Sequence, residues 1–334
     1  MRPRGSIYSS RDNVHVLSSN NDYQRIIKIV GIPESQLETW AHQGATVTAK
    51  ATHESIRNAL ESDSSPIKDR VKKGGAEIYL QGSYKNDTNI RGDSDVDLVV
   101  ELNTVFGHNA HELPPDQKRL HDLTYENATY SWEEFRADVI TAVSKYYGPA
   151  KVDTTGNKSI KLLPVPGRLK ADIVPAVKFR KYSHFRGRDD FRAKRGIRFY
   201  HRTTKKAIVN FPHHHFDNGK EKNSESRTNG WFKPTVRIFK NARSYLIEKN
   251  LLADGKAPSY FLQSLIYNVP DKLFGGTYQS TFYNLLKYWC DNTIDRFVCQ
   301  NEVDNLFDST KEQWNLPDAK TTIRAMVQLW NDWQ

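Results

Sequence analysis

Apolar residues recur along this chain first with the two-residue period of strands and later with the spacing of helices. Over residues 34–60, Leu37, Trp40, Ala41, Ala45, Ala49, His53, Ile56 and Leu60 share one face of a long amphipathic helix. Short apolar runs then centre on Ile78 and Leu98, predicting strands over 76–80 and 96–102. Phe135, Val139, Ile140 and Val143 give 131–147 the spacing of a helix lying on a sheet. Further strands are predicted over 159–163, 169–177, 198–200 and 207–210. A polar, charged connector follows at 220–229, and helical spacing takes over at 233–248, 258–268, 277–289 and 318–333. A sheet followed by helices predicts an α+β protein with a ligand cleft between two lobes. The sheet-bearing lobe would span 31–225, with the long helix at its start, and the helical lobe 226–334. Residues 1–30 read as an N-terminal extension.

The joint between the first two strands carries the chemistry. Gly82-Ser83 closes one apolar run, and Asp95 and Asp97 open the next. Side chains alternate along a strand, so both aspartates project from one side while Val96, Leu98 and Val100 face the core. Two carboxylates about 7 Å apart along one edge can share a pair of divalent cations. The Gly-Ser amides and the Ser83 hydroxyl would cradle phosphate oxygens in front of them. Aspartate is common in turns because it hydrogen-bonds its own backbone, and Asp93, after Gly92, is read as such a residue. The combination is narrower: a strand, Gly-Ser, a short polar segment, then Asp-x-Asp entering an apolar strand. A third acid, Asp172, interrupts the apolar run 169–177. On a core face it would cost several kcal/mol of solvation, but beside a metal that cost reverses. Together these are the parts of a nucleotidyltransferase.

Composition adds an anionic ligand. Lys and Arg outnumber Asp and Glu by 49 to 39, a net charge of +10. No apolar run is long enough to span a bilayer and no secretory signal is evident, so a cytoplasmic protein with reduced Cys290 and Cys299 is expected. Two cysteines are too few for a disulfide framework or a zinc cluster. The run 178–188 interleaves cations with aromatics and is followed by Asp189-Asp190; it is read as a loop near the cleft mouth rather than a nucleic-acid groove. His213-His214-His215 point in different directions along the chain and are assigned a structural role.

Residues 79–86, 88–91 and Asp95-Val96-Asp97 resemble the cGAS/DncV-like nucleotidyltransferases of the polymerase-β-like superfamily, the CdnE-type clade in particular. Residues 40–45, 231–234 and 257–262 extend the resemblance over most of the chain from Glu34 onward. It implies a bilobal enzyme that joins two nucleoside triphosphates, with release of pyrophosphate, into a cyclic dinucleotide messenger for bacterial anti-phage defence. Asp95, Asp97 and Asp172 would then hold two Mg2+ ions, with Mn2+ as a substitute. Gln81, Gly82 and Ser83 would bind nucleotide. Lys240 would reach across the cleft to the triphosphate, and Ser259 and Tyr260 would contact phosphate and stack on a base. Arg237 and Arg243 are expected to be surface or interlobe charges. ATP, UTP or GTP are the expected substrates, with at least one pyrimidine position, no nucleic-acid activator, no membrane and a monomeric state. The alternatives are a purine-only or linear product, another transferase of the same superfamily, or an inactive binding module. A pure binder would have no need of three clustered acids.

Overall fold

The computed structural model describes residues 27–333 except 29, 93 and 309–312. The proposed extension over 1–30 therefore lies almost wholly outside the described residues, as does the turn role of Asp93. Seven strands build one mixed sheet: β1 (Ala76–Leu80), β2 (Val96–Asn109), β3 (Val152–Asp153), β4 (Ile160–Leu162), β5 (Ala171–Phe185), β6 (Phe191–Tyr200) and β7 (Ala207–Asn210). The order is β1-β2-β5-β4-β3, and β6 and β7 extend from the second half of β5. β2 and β5 run parallel, whereas every other pair is antiparallel. Because β5 is long, its first residues pair with β4 and its later ones with β6.

The helices are α1 (Glu34–Ala41), α2 (Val47–Leu60), α3 (Lys68–Lys72), α4 (Gly82–Lys85), α5 (Pro115–Thr124), α6 (Trp132–Tyr147), α7 (Pro212–Lys222), α8 (Phe232–Glu248), α9 (Ser259–Tyr267), α10 (Tyr278–Asp291) and α11 (Leu316–Asn331). Ile56 and Leu60 of α2 and Phe135, Val139 and Val143 of α6 pack with Leu98, Val100 and Ile173 of the sheet. A capping box starts α6: the Ser131 hydroxyl accepts from the Glu134 amide, and the Glu134 carboxylate accepts from the Ser131 amide. A second core joins Val236, Phe239 and Leu246 of α8 to Phe282, Leu286, Ile323 and Trp330. Phe239 and Phe282 stack at 4.3 Å between centroids.

Three sequence expectations are corrected. The helix predicted over 34–60 is two helices, broken at 42–46. Gly44 donates its amide to the Asn89 carbonyl, and a Cβ there would come within 2.5 Å of the Arg91 backbone. This close approach of two chain segments overrides the helical period. As a result α1 packs into the helical core through Leu37 and Ala41, while α2 lies on the sheet. The run 178–188 is mostly strand, not loop: β5 continues through Phe185 and pairs with β6. Phe179, Tyr182 and Phe185 are buried, and Arg180 stands over the rings of Phe106 and Phe191. Finally, the connector expected over 220–229 begins as the last turn of α7, where Lys222 is buried and paired with Asp271 at 2.7 Å.

Candidate active site

β1 ends at Leu80, and Gln81 turns the chain into α4. The Gln81 amide donates to the Asp97 carbonyl at 2.9 Å, which fixes the turn against β2. Gly82 has φ +65°, and a Cβ on it would fall 2.1 Å from Asp97 Oδ2. Only glycine can present its backbone that close to the carboxylate. The Asn86 amide and side-chain Nδ2 both return to the Gly82 carbonyl, and the Thr88 amide donates to the Ser83 carbonyl. The Gly-Ser loop is thus held by its own backbone.

Parallel register sets Asp97 on β2 beside Asp172 on β5. Side chains at paired positions lie on the same face of a sheet, with the strands about 4.8 Å apart. Asp95 stands just before β2 and pairs with Lys170, and Ser159 donates to Asp172 at 3.2 Å. Burial, then the charges of Asp172 and Asp95, push the Asp97 carboxyl up to about 7, despite the opposing pull of Lys240 and Lys170. Such mutual repulsion of clustered carboxylates is what a bound dication relieves. The donor set, all carboxylate oxygen, suits a hard ion such as Mg2+.

Gln81, Gly82, Ser83 and Asp97 face Lys240, Ser259 and Tyr260 across a cavity of about 1240 Å³. Asp95 and Asp172 do not line it; Asp172 adjoins Asp97 on the neighbouring strand. Lys240 is buried and donates to the Thr88 carbonyl at 2.6 Å. Desolvation, followed by the Arg243 and Arg237 charges, lowers its ammonium to about 8. Ser259 accepts from Arg243 at 2.9 Å. The Tyr260 ring is 39% exposed at the cavity, while burial of its hydroxyl end raises its proton affinity. Behind it, His215 stacks at 5.0 Å and 23°.

Residues that periodicity did not single out complete the frame. Arg237 donates to the carbonyls of Ala41 and Asp87, and Lys233 pairs with the Asp87 carboxylate at 2.7 Å. With Lys240, one face of α8 grips the loop that follows the Gly-Ser turn. The interlobe role expected of Arg237 agrees with this, whereas Arg243 lines the cavity. Thr88 is joined through Gln263 to His215 and Gln300. His215 is therefore structural, as expected of the triplet, yet it forms the back of the cavity wall. The run 178–188 contributes nothing to this lining, which corrects its placement at the cleft mouth.

Comparison with known proteins agrees with this geometry. Residues 65–151 match the nucleotidyltransferase domain, and 217–331 match the cGAS/DncV-like nucleotidyltransferase C-terminal helical domain. The chain is 47% identical over 302 residues to the cyclic UMP-AMP synthase of Rhodothermus marinus, covering 90% of this chain and 99% of that protein. It is 38% identical over 306 residues to the cyclic nucleotide synthase CdnE01 of Staphylococcus haemolyticus, again covering 90% and 99%. The solved structure of the Rhodothermus marinus CdnE c-UMP-AMP synthase with Apcpp and Upnpp superposes with a TM-score of 0.80 at 46% identity, over 90% of this chain and 97% of that one. The chain is a nucleotidyltransferase and belongs to the cGAS/DncV-like family, within its CdnE-type clade.

Proposed function

We propose that the protein joins UTP and a purine triphosphate, ATP in the first instance, into a cyclic dinucleotide used as a second messenger in bacterial anti-phage defence. The observation that carries this reading is the paired register of Asp97 and Asp172, with Asp95 adjoining, at a cavity of about 1240 Å³. A small-ligand pocket is about 300–1,000 Å³, so this one suits two nucleotides rather than one. The likeness to a cyclic UMP-AMP synthase supports uridine and adenosine as the pair.

Asp95, Asp97 and Asp172 would hold two divalent cations, Mg2+ in the cell. When bound, these lower the pKa of the attacking ribose hydroxyl and offset charge on the α-phosphate and leaving pyrophosphate. The Gly82 and Ser83 amides, at the end of β1, orient the phosphates against that centre. Lys240 and Arg243 add positive charge from the opposite lobe. Tyr260 supplies a flat wall for a nucleobase. After the first transfer the linear intermediate re-seats, and a second in-line attack closes the ring. The protein is proposed to work as a cytoplasmic monomer without a nucleic-acid activator; among the described residues no helix is long and apolar enough to cross a membrane.

The test is incubation with the four ribonucleoside triphosphates, singly and in pairs, followed by phosphatase digestion and mass analysis. A phosphatase-resistant product containing one uridine and one adenosine is expected. Efficient cyclic product from ATP or GTP with no gain from UTP would remove the pyrimidine claim, and a phosphatase-sensitive chain would replace cyclisation with linear synthesis.

A further inference from the structure

β2 carries Asp97 near its start and His108 near its end, on the order of 30 Å away along the strand. At that far end α5 sets His121 against the sheet. His121 is 1% exposed, and its ring lies 5.1, 4.8 and 5.1 Å from those of Tyr125, Tyr182 and Phe185. Its other neighbours are His108, with ring centroids at 4.5 Å, and Asp122, whose Oδ1 is 3.3 Å from Nδ1. The Nε2 atom is buried with no hydrogen-bond partner among the described residues. A buried ring nitrogen without a partner forfeits its hydration, so an apolar residue would serve better if packing were its only role. His108, His121 and Asp122 each offer one ligand atom, and the three lie within 4.8 Å of one another.

We propose that His108, His121 and Asp122 form a second metal site, separate from the catalytic carboxylates, that takes a zinc-type divalent ion and clips the end of β2 to α5. Two imidazoles and one carboxylate are the donors that favour zinc over magnesium. Tetrahedral zinc with bonds of about 2.0–2.1 Å needs its donors roughly 3.3 Å apart. His108 and Asp122 are exposed and can close that gap, while His121 is fixed by its aromatic walls. Three protein ligands leave the fourth position to water. Arg198, close enough to act electrostatically on His108, opposes a dication, so micromolar rather than nanomolar affinity is expected.

The test is calorimetric titration of Zn2+ into the full chain carrying Asp95→Asn, Asp97→Asn and Asp172→Asn, which removes the catalytic carboxylates as competitors. One Zn2+ per chain at micromolar affinity is expected, together with a rise in melting temperature. Adding His108→Ala or Asp122→Asn alters only an exposed side chain. Each should weaken binding more than about tenfold, since even outer partners of metal sites produce losses of that order. No micromolar binding to the triple variant, or binding undiminished by His108→Ala, would overturn the proposal.

Discussion

Two acids on β2, four residues apart and on the same side of the strand, meet opposite fates. Glu101 is fully buried, yet its carboxyl lies below the ordinary range. Burial works to raise it and is outweighed by the donors around it. Tyr79 donates at 2.8 Å and Arg195 at 3.0 Å, and His213 Nε2 stands 3.9 Å from the carboxylate. At Asp97 burial is instead reinforced by the charges of Asp172 and Asp95, and the carboxyl is pushed up to about 7. Burial raises both acids, and their partners decide whether it is overcome, as at Glu101, or reinforced, as at Asp97. Glu101 is a finished part of the sheet. Asp97 is left with a desolvation and repulsion that a bound cation would relieve, as the proposed metal site requires.

The largest test of that contrast is Asp97→Asn. Nucleotidyl transfer, measured as pyrophosphate release, should fall at least about a thousandfold, roughly 4 kcal/mol. The metal-free protein should nevertheless melt a few degrees higher, because the repulsion is gone. A metal-free variant that melts lower than its parent would break the comparison.

The pH dependence sharpens it. Asp97 has a folded value of about 7 against 3.8 for the free side chain. Below 3.8 its protonated form costs nothing; as pH rises from 3.8 to 7 the unfolded chain ionises first, and stability is lost. The loss for this one group is at most about 4 kcal/mol. Glu101 has the opposite sign, contributing stability above its unfolded 4.5 that disappears as pH falls through its lower folded value. Melting curves of the metal-free parent and Asp97→Asn should therefore diverge between pH 4 and 7, and added Mg2+ should close the gap. Parallel curves over that range would refute the assignment.

Gly82→Ala probes the approach of the turn to Asp97. With no room for a Cβ, the carboxylate or the loop must shift, and activity should fall roughly a hundredfold while the chain stays folded by circular dichroism. Glu101→Gln should do the reverse, costing about 2 kcal/mol in chemical denaturation through its weakened pairing with Arg195, with little change in kcat of the folded enzyme. The smallest effect expected is from His215→Ala. Loss of the stack behind Tyr260 should raise KM for one nucleotide about fivefold, within the range of a base–aromatic contact, and leave kcat nearly unchanged. His215→Phe should restore most of it.

The sequence by itself determined the local parts: the Gly82-Ser83 turn, the strands on either side of it, and the late helices. Each depends on neighbours within a few residues, through strand alternation, helical period or capping, so one-dimensional pattern contains it. Tertiary structure alone decided what depends on distant chain. Asp172 becomes the partner of Asp97 only through the parallel register of two strands some seventy-five positions apart. The break at Gly44 exists because the Asn89–Arg91 backbone lies against it, and the cation–aromatic run became strand because β6 was there to pair with it. Likewise, His215 backs Tyr260 because α7 and α9 meet. Propensity is a weak force of tenths of a kcal/mol per residue, and a few long-range hydrogen bonds and close contacts suffice to override it.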